Sequence, residues 1–305
     1  MNKSRIESFI ILAVLSLIWG SSFILMKKGL LAFDAVQVAS LRIIFAGLVF
    51  VPFIIKNFRK IPWNKYGYII LFALLEVGIP PYLYTFAQTH VDSSSAGILN
   101  SLVPLFTLIA GFFFFRLRFH WVITAGVLTG LIGALLLTFF KMQGNHGASF
   151  DLGNSWGLLI VLATFLYGMA SNIIKEHLYN VSSSMLTAVA FVSLSVPAAL
   201  ILLTTNIFSV PFTNTVHIHA LIAIIILSVF GSALAILIFS KLIHLSNALF
   251  ASFVTYFIPF VSLLWGWLDN EKISPIHFSS LLVIFLGIYI ANLGEKLQQN
   301  KNNLQ

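Results

Sequence analysis

Long apolar segments alternate with short polar links along the whole chain. Each segment is close to the ~20 residues that a helix needs to cross a bilayer. None alternates between apolar and polar residues as the strands of a membrane β-barrel do. The pattern predicts an all-α integral membrane protein with ten transmembrane helices near residues 9–27, 35–55, 66–88, 94–115, 120–140, 155–174, 183–203, 218–240, 247–268 and 276–294.

Basic residues predict the orientation of these helices. Cytoplasmic links collect Lys and Arg, and an even number of helices places both termini on one side. With both termini inside, Arg42 lies within the second span and most of the 17 Lys and Arg residues fall in inner links. The outer links hold only Lys27, Lys28, Lys141 and Lys272. We therefore expect an N-in, C-in multi-pass protein of the plasma (inner) membrane.

Composition narrows the possible partners. The chain is 59% hydrophobic and 9% charged, against about 25% charged in soluble proteins, so lipid must cover most of it. The net charge of +8 does not form a basic stripe interleaved with aromatics, so no nucleic acid is expected. Without cysteine, and with His217 and His219 alone in a loop, no metal site is expected. No cofactor is expected either.

The two halves of the chain resemble each other. Residues 96–116 (AGILNSLVPLFTLIAGFFFFR) align without a gap with residues 251–271 (ASFVTYFIPFVSLLWGWLDNE), and Trp19-Gly20 aligns with Tyr167-Gly168. A polar, Gly-rich stretch separates the halves. The predicted organisation is a first five-helix repeat at 1–142, a linker at 143–154, a second five-helix repeat at 155–296 and a polar cytoplasmic tail at 297–305.

Five helices are an odd number, so the second repeat enters the membrane from the opposite side. Inverted repeats are typical of secondary transporters, whose binding site lies near the midplane between the repeats. Chance similarity between apolar helices is the alternative. Matching Pro, Gly and polar positions favour the repeat.

Several further motifs accompany the repeat: Trp19-Gly20-Ser21-Ser22, Arg42, the Ser/Ala-rich entry to the fourth helix, Pro104, Pro259, Glu271 and the glycines of the fifth helix. Together these features resemble the EamA family of the drug/metabolite transporter superfamily. The resemblance covers essentially the whole chain. It implies a ten-helix carrier that works by alternating access and often exports amino acids or other small metabolites. That family commonly has a Glu after the fourth helix of each repeat, whereas this chain has Arg116 in the first repeat.

Small and polar residues recur on one face of the fourth helix and on its counterpart. Asn100, Pro104 and Thr107 share a helix face, and Thr255, Pro259 and Ser262 take the same places in the second repeat. Both faces could line a substrate cavity, with the prolines as hinges. The alternative is close helix packing.

Two charges lie within predicted spans. Glu76 is in mid-span, where a carboxylate is costly and usually functional. It could carry a coupling proton, bind a substrate ammonium group or pair structurally with Arg42. Arg42 itself could serve the cavity or extend to the membrane interface.

Further candidates lie on the first, third, fifth and sixth spans. Trp19, Ser22, Tyr167 and Ser171 are cavity candidates on equivalent faces, with aromatic packing as the alternative for the two rings. Tyr82 is also a cavity candidate. The neighbouring Pro80 and Pro81 should bend the third span, as a gate or as a static kink. The glycines at 126, 130 and 133 predict a close-packing surface that could be a homodimer face.

The sequence thus favours a secondary transporter of a small zwitterionic or amphipathic metabolite such as an amino acid, acting in efflux. Without a nucleotide-binding motif, coupling to protons or substrate exchange would drive it. A channel, or a receptor or scaffold that transports nothing, is the alternative. An enzyme is disfavoured, because no catalytic motif occurs in the chain.

Overall fold

The computed structural model describes residues 3–91, 93–117, 120–144, 156–209, 214–258, 261 and 275–303, which contain helices and no strand. The predicted Pro259, Ser262 and Glu271 and nearly all of the linker lie outside these residues. In chain order the helices are α1 Lys3–Gly29, α2 Ala35–Asn57, α3 Tyr66–Ala73, α4 Ile79–Gln88, α5 Ser93–Asn100, α6 Val103–Phe114, α7 Trp121–Gly144, α8 Gly157–His177, α9 Ser183–Leu203, α10 Thr215–Ile226, α11 Ala235–Leu245, α12 Ala248–Ser252 and α13 Pro275–Asn303.

Six continuous helical stretches in the described residues are long and apolar enough to cross a membrane. Four shorter apolar helices accompany them, at Val103–Phe114, Trp121–Gly133, Ala248–Ile258 and Leu282–Gly294. The helical membrane architecture is therefore confirmed, and the count of ten helices and the N-in, C-in orientation stay predictions. The six stretches are Ile6–Gly29, Ala35–Lys60, Trp63–Gln88, Gly157–His177, Ser183–Leu203 and Thr215–Leu245.

Two of these stretches contain a π-helical segment. Leu74–Gly78, here called π1, joins α3 to α4, and Leu227–Leu234, called π2, joins α10 to α11. Proline lacks an N–H and clashes with the preceding turn, so Pro80 and Pro81 disturb the helical bonding of π1. A π segment, of a kind often found at functional sites, thus lies next to the prolines at which the third span is predicted to bend.

The fourth predicted span is broken instead of continuous. α5 ends at Asn100, a turn covers residues 101–102, and α6 begins at Val103 with Pro104 in its first turn. A proline in the first helical turn costs no hydrogen bond. Both α5 and α6 pack on α7 and α8, but α5 also packs on α1 and α4, whereas α6 also packs on α12.

The glycines of α7 pack within the chain. A Cβ on Gly126 would lie 2.3 Å from the backbone nitrogen of Ala291, and one on Gly287 would lie 2.3 Å from that of Gly130. Only glycine allows α7 and α13 to approach so closely. These glycines therefore form a close-packing surface, as predicted, and α13 of the same chain covers the face that was a possible homodimer surface.

Helices from the two halves interleave. α1 packs on α10 and α11, α2 on α9, α3 and α4 on α8, and α7 on α13.

Caps outside the apolar runs set where some of these helices begin. Asp34 accepts from Gln37 N at 2.8 Å and thereby starts α2, and Asn247 accepts from Phe250 N at 2.8 Å and starts α12.

Candidate functional site

A cavity lies between the helices of the two halves. The volume of the cavity is about 70 Å³. At roughly 15 Å³ for each water, it has room for a few waters or a small molecule. Its apolar lining is Phe23, Met26, Ile43, Val77, Val103, Phe191, Ile236, Phe239 and Ile258. Its other lining residues are Trp19, Ser22, Arg42, Glu76, Pro81, Tyr84, Asn100, Tyr167, Ser232, Ser252 and Thr255.

Arg42 turns inward and does not extend to the membrane surface. Its side chain is only 8% exposed, and Nε donates a hydrogen bond to Ser232 Oγ at 2.5 Å. Arg42 belongs to α2 of the first half and Ser232 to π2 of the second. The contact therefore ties a cationic group of one half to the other half.

Glu76 lies in π1 and is 4% exposed. Its Oε2 is buried and has no hydrogen-bond partner among the residues that the structure describes. Across the same residues, the one ion pair within 4.0 Å joins Lys241 to Glu7, so Glu76 and Arg42 are not paired. A guanidinium and a carboxyl group thus line the same cavity without forming an ion pair.

Three aromatic residues with polar groups, Trp19, Tyr84 and Tyr167, also line the cavity. Trp19 Nε1 donates to the carbonyl oxygen of Gly231 at 3.1 Å, and its ring packs on Phe239 with centroids 5.2 Å apart. The rings of Tyr84 and Tyr167 stack with centroids 6.1 Å apart. These rings offer broad apolar faces with polar edges, which suit an amphipathic molecule.

The structure places the predicted site residues in two groups. Those that line the cavity are Trp19, Ser22, Arg42, Glu76, Pro81, Asn100, Tyr167 and Thr255. Those placed outside its lining are Pro80, Tyr82, Pro104, Thr107 and Ser171.

Three residues of the second group, Tyr82, Thr107 and Ser171, form hydrogen bonds within or between helices. The carbonyl oxygen of Thr107 accepts from Asn172 Nδ2 of α8 at 2.9 Å, so this part of the small-residue face serves helix packing. Ser171 Oγ donates to the carbonyl of Tyr167 in its own helix. Tyr82 Oη is hydrogen-bonded to Ser40 Oγ of α2 at 2.9 Å. Of the predicted polar face, Asn100 of α5 therefore lines the cavity, whereas Thr107 of α6 lies at the contact with α8.

Three polar lining residues, Tyr84, Ser232 and Ser252, escaped the sequence analysis. Tyr84 lies two residues from Tyr82, which is about 200° around an α-helix, and only Tyr84 faces the cavity.

Ser232 follows Gly231, which corresponds to Glu76 when the alignment of residues 96–116 with 251–271 is extended toward the N-terminus at the same offset. A small polar residue beside the position that corresponds to Glu76 was the feature of the sequence that could have identified Ser232.

Comparison with known proteins agrees with a transport role. The model of the EamA-like transporter family matches residues 7–139 and 154–293. The uncharacterized inner membrane transporter YedA of Escherichia coli (strain K12) is 26% identical over 291 residues, which cover 94% of this chain and 90% of YedA. The uncharacterized transporter YoaV of Bacillus subtilis (strain 168) is 24% identical over 280 residues, covering 90% and 93% of the two chains.

A solved crystal structure shares the fold. Its chain superposes with a TM-score of 0.70 at 17% sequence identity, covering 95% of this chain and 98% of that chain. At this identity the similarity concerns the arrangement of helices alone.

Proposed function

This chain belongs to the EamA-like transporter family, and we propose that it is a secondary carrier of small zwitterionic or amphipathic metabolites such as amino acids. The observation that carries the proposal is the cavity that holds both Arg42 and Glu76 without an ion pair between them. Burying an unpaired charge costs several kcal/mol, a cost that a ligand with the opposite charge would offset. A ligand with one charge of each sign matches the pair, and an apolar side group matches the rest of the lining.

The packing of the two halves supports alternating access. If each helix is replaced by its counterpart in the other half, the contact of α1 with α10 and α11 becomes the contact of α8 with α3 and α4. The same exchange maps the α2–α9 and α7–α13 contacts onto themselves. An inverted repeat built in this way has two equivalent arrangements, and rocking between them would open the cavity to each side in turn.

The energy source and direction are part of the proposal. The sequence has no nucleotide-binding motif, so we propose that exchange of substrates or the proton gradient drives transport, with Glu76 as the proton carrier in the second case. We further propose net export across the plasma membrane. A homodimer would need a surface other than the glycine face of α7.

Transport by the purified protein in proteoliposomes tests the proposal. Uptake of labelled L-leucine should saturate and should be accelerated when unlabelled leucine is loaded inside. A channel would give flux that rises linearly with concentration and shows no acceleration. A receptor or scaffold would give no flux above that of protein-free vesicles.

A further inference from the structure

Arg42 and Ser232 both line the cavity and are hydrogen-bonded to each other. We propose that Arg42 and Ser232 form a carboxylate-binding unit in which Ser232, a positioning residue, orients the guanidinium toward the substrate. The inference rests on the proposed transport function and assigns the carboxylate of a zwitterionic substrate to Arg42 and its ammonium group to Glu76.

Two hydrogen bonds define the orientation of the Ser232 hydroxyl. Its hydroxyl can donate to the carbonyl oxygen of Leu227 at 3.4 Å, five residues earlier in π2, and it accepts from Arg42 Nε at 2.5 Å. The oxygen lone pair therefore faces Arg42. Replacing the hydroxyl would leave Nε–H without an acceptor and free the guanidinium to rotate.

The rest of the guanidinium remains available to a ligand. Arginine carries five N–H donors, and Nε is the one that hydrogen-bonds among the residues that the structure describes. The two terminal NH₂ groups keep their donors on a residue that lines the cavity. A planar fork of this kind matches a carboxylate with two parallel hydrogen bonds.

The charge of the cavity favours a carboxylate over a phosphate. Arg42 is the one Lys or Arg among the described lining residues, and Glu76 opposes it. A dianion would therefore meet one cation and one repelling anion. A molecule with a single carboxylate and a nearby ammonium group meets a complementary charge at each end.

π2 is held firmly against the first half at this point. Gly231 accepts from Trp19 Nε1 at 3.1 Å, and a Cβ on Gly231 would lie 2.6 Å from Ser22 Oγ. Two consecutive residues of π2 thus contact α1 and α2. This docking fixes Ser232 and, through it, the orientation of Arg42.

Binding of three related probes to the full-length protein in lipid nanodiscs tests the inference. L-leucine carries both charges, 3-methylbutylamine lacks the carboxylate and 4-methylpentanoate lacks the ammonium group. In Ser232→Ala we expect the Kd of leucine and 4-methylpentanoate, measured by ligand-induced thermal stabilisation, to rise about tenfold, the size of one hydrogen bond to a charged group. The Kd of the amine should not change, and Ser232→Thr should restore carboxylate binding.

Ser228→Ala is the matched control. Ser228 also lies in π2 and is fully buried, but its Oγ bonds to the carbonyl of Ile224 in its own helix, at 2.6 Å. It should shift none of the three Kd values selectively. Arg42→Lys is the second variant: it keeps the charge but lacks Nε and the fork, and it should lose affinity for the two carboxylates more than for the amine.

Each result bears on a separate claim. An equal loss for all three probes in Ser232→Ala and in Arg42→Lys would mean a structural role and would overturn the carboxylate unit. Wild-type binding of leucine and the amine with equal affinity would overturn it as well, while leaving the carrier proposal intact. No binding of any probe to the wild type would overturn the proposed substrate class together with this inference.

Discussion

Tyr84 Oη donates a hydrogen bond to Asn100 Oδ1 over 2.6 Å and thereby joins α4 to α5 on the cavity wall. Both side chains are buried, at 3% and 6% exposure. The bond commits the amide oxygen of Asn100 and leaves its NH₂ group as a donor. Because Tyr84 of α4 occupies the amide oxygen, Asn100 of α5 offers a hydrogen-bond donor on the cavity wall.

Removing this bond should weaken substrate binding. In Tyr84→Phe the amide oxygen of Asn100 loses its donor, which costs about 1 kcal/mol or more, and the amide is free to rotate. We expect the KM for leucine uptake to rise about fivefold, in line with that cost, with a smaller effect on the maximal rate.

Tyr82→Phe is the control for Tyr84→Phe. It also removes one hydroxyl from α4, but that hydroxyl contacts Ser40 and does not line the cavity. It should lower the melting temperature slightly and leave KM unchanged. A rise in KM equal to that of Tyr84→Phe would contradict the placement of the cavity.

Glu76→Gln should abolish binding of the ammonium group while the protein still folds. The substitution conserves shape, and no hydrogen bond of Oε2 to a described residue is lost. We expect leucine affinity to fall at least tenfold, which corresponds to about 1.4 kcal/mol. Uptake at a series of pH values should vary in the wild type and be flat in the variant if Glu76 carries the coupling proton.

Glu7→Gln controls for a general effect of charge. Glu7 forms an exposed pair with Lys241 at 2.7 Å, and such pairs contribute ~0–1 kcal/mol. Its flux should match the wild type at every pH. Undiminished leucine affinity in Glu76→Gln would remove Glu76 from the binding site.

Gly168→Ala should disturb the crossing of α8 and α6. A Cβ at Gly168 would lie 2.7 Å from Thr107 N and 2.8 Å from the carbonyl carbon of Phe106, and backbone atoms cannot move aside as a flexible side chain can. We expect destabilisation of about 1–3 kcal/mol, as for overpacking elsewhere. The shift in thermal unfolding measures it.

The control for this prediction is Gly67→Ala. A Cβ at Gly67 in α3 would meet nothing within 4 Å, so the change should be neutral or stabilise by up to about 1 kcal/mol. Equal melting temperatures for both variants would contradict the close contact between α6 and α8.

The sequence predicted the helical membrane architecture and much of the cavity because both depend on local features. A charge in mid-span must be satisfied within the protein, so Glu76 and Arg42 could be selected without coordinates. Asn100 and Trp19 stood out as polar or amphipathic groups at aligned positions of the two halves.

Which side chains line the cavity also depends on how each helix is rotated about its axis, and the pattern of apolar and polar residues does not determine that rotation. An uninterrupted helix from 94 to 115 would give Asn100 and Thr107 the same face, but the break at 101–102 lets Thr107 pack on α8 while Asn100 lines the cavity. π1 changes the rotation of α4 relative to α3, so the choice between Tyr82 and Tyr84 could not be made from spacing alone. Ser232 gains its role only from Arg42, which is 190 residues away in the chain.

Accessibility of the cavity from the two sides of the membrane tests the central claim most directly. The chain has no cysteine, so Ser22→Cys places a single thiol on the cavity wall. In proteoliposomes of uniform orientation, a membrane-impermeant maleimide should modify this thiol when added outside and, in separate vesicles, when enclosed inside. L-leucine should slow both reactions. Modification from one side only, or at a rate that leucine does not change, would contradict a substrate cavity that opens alternately to each side.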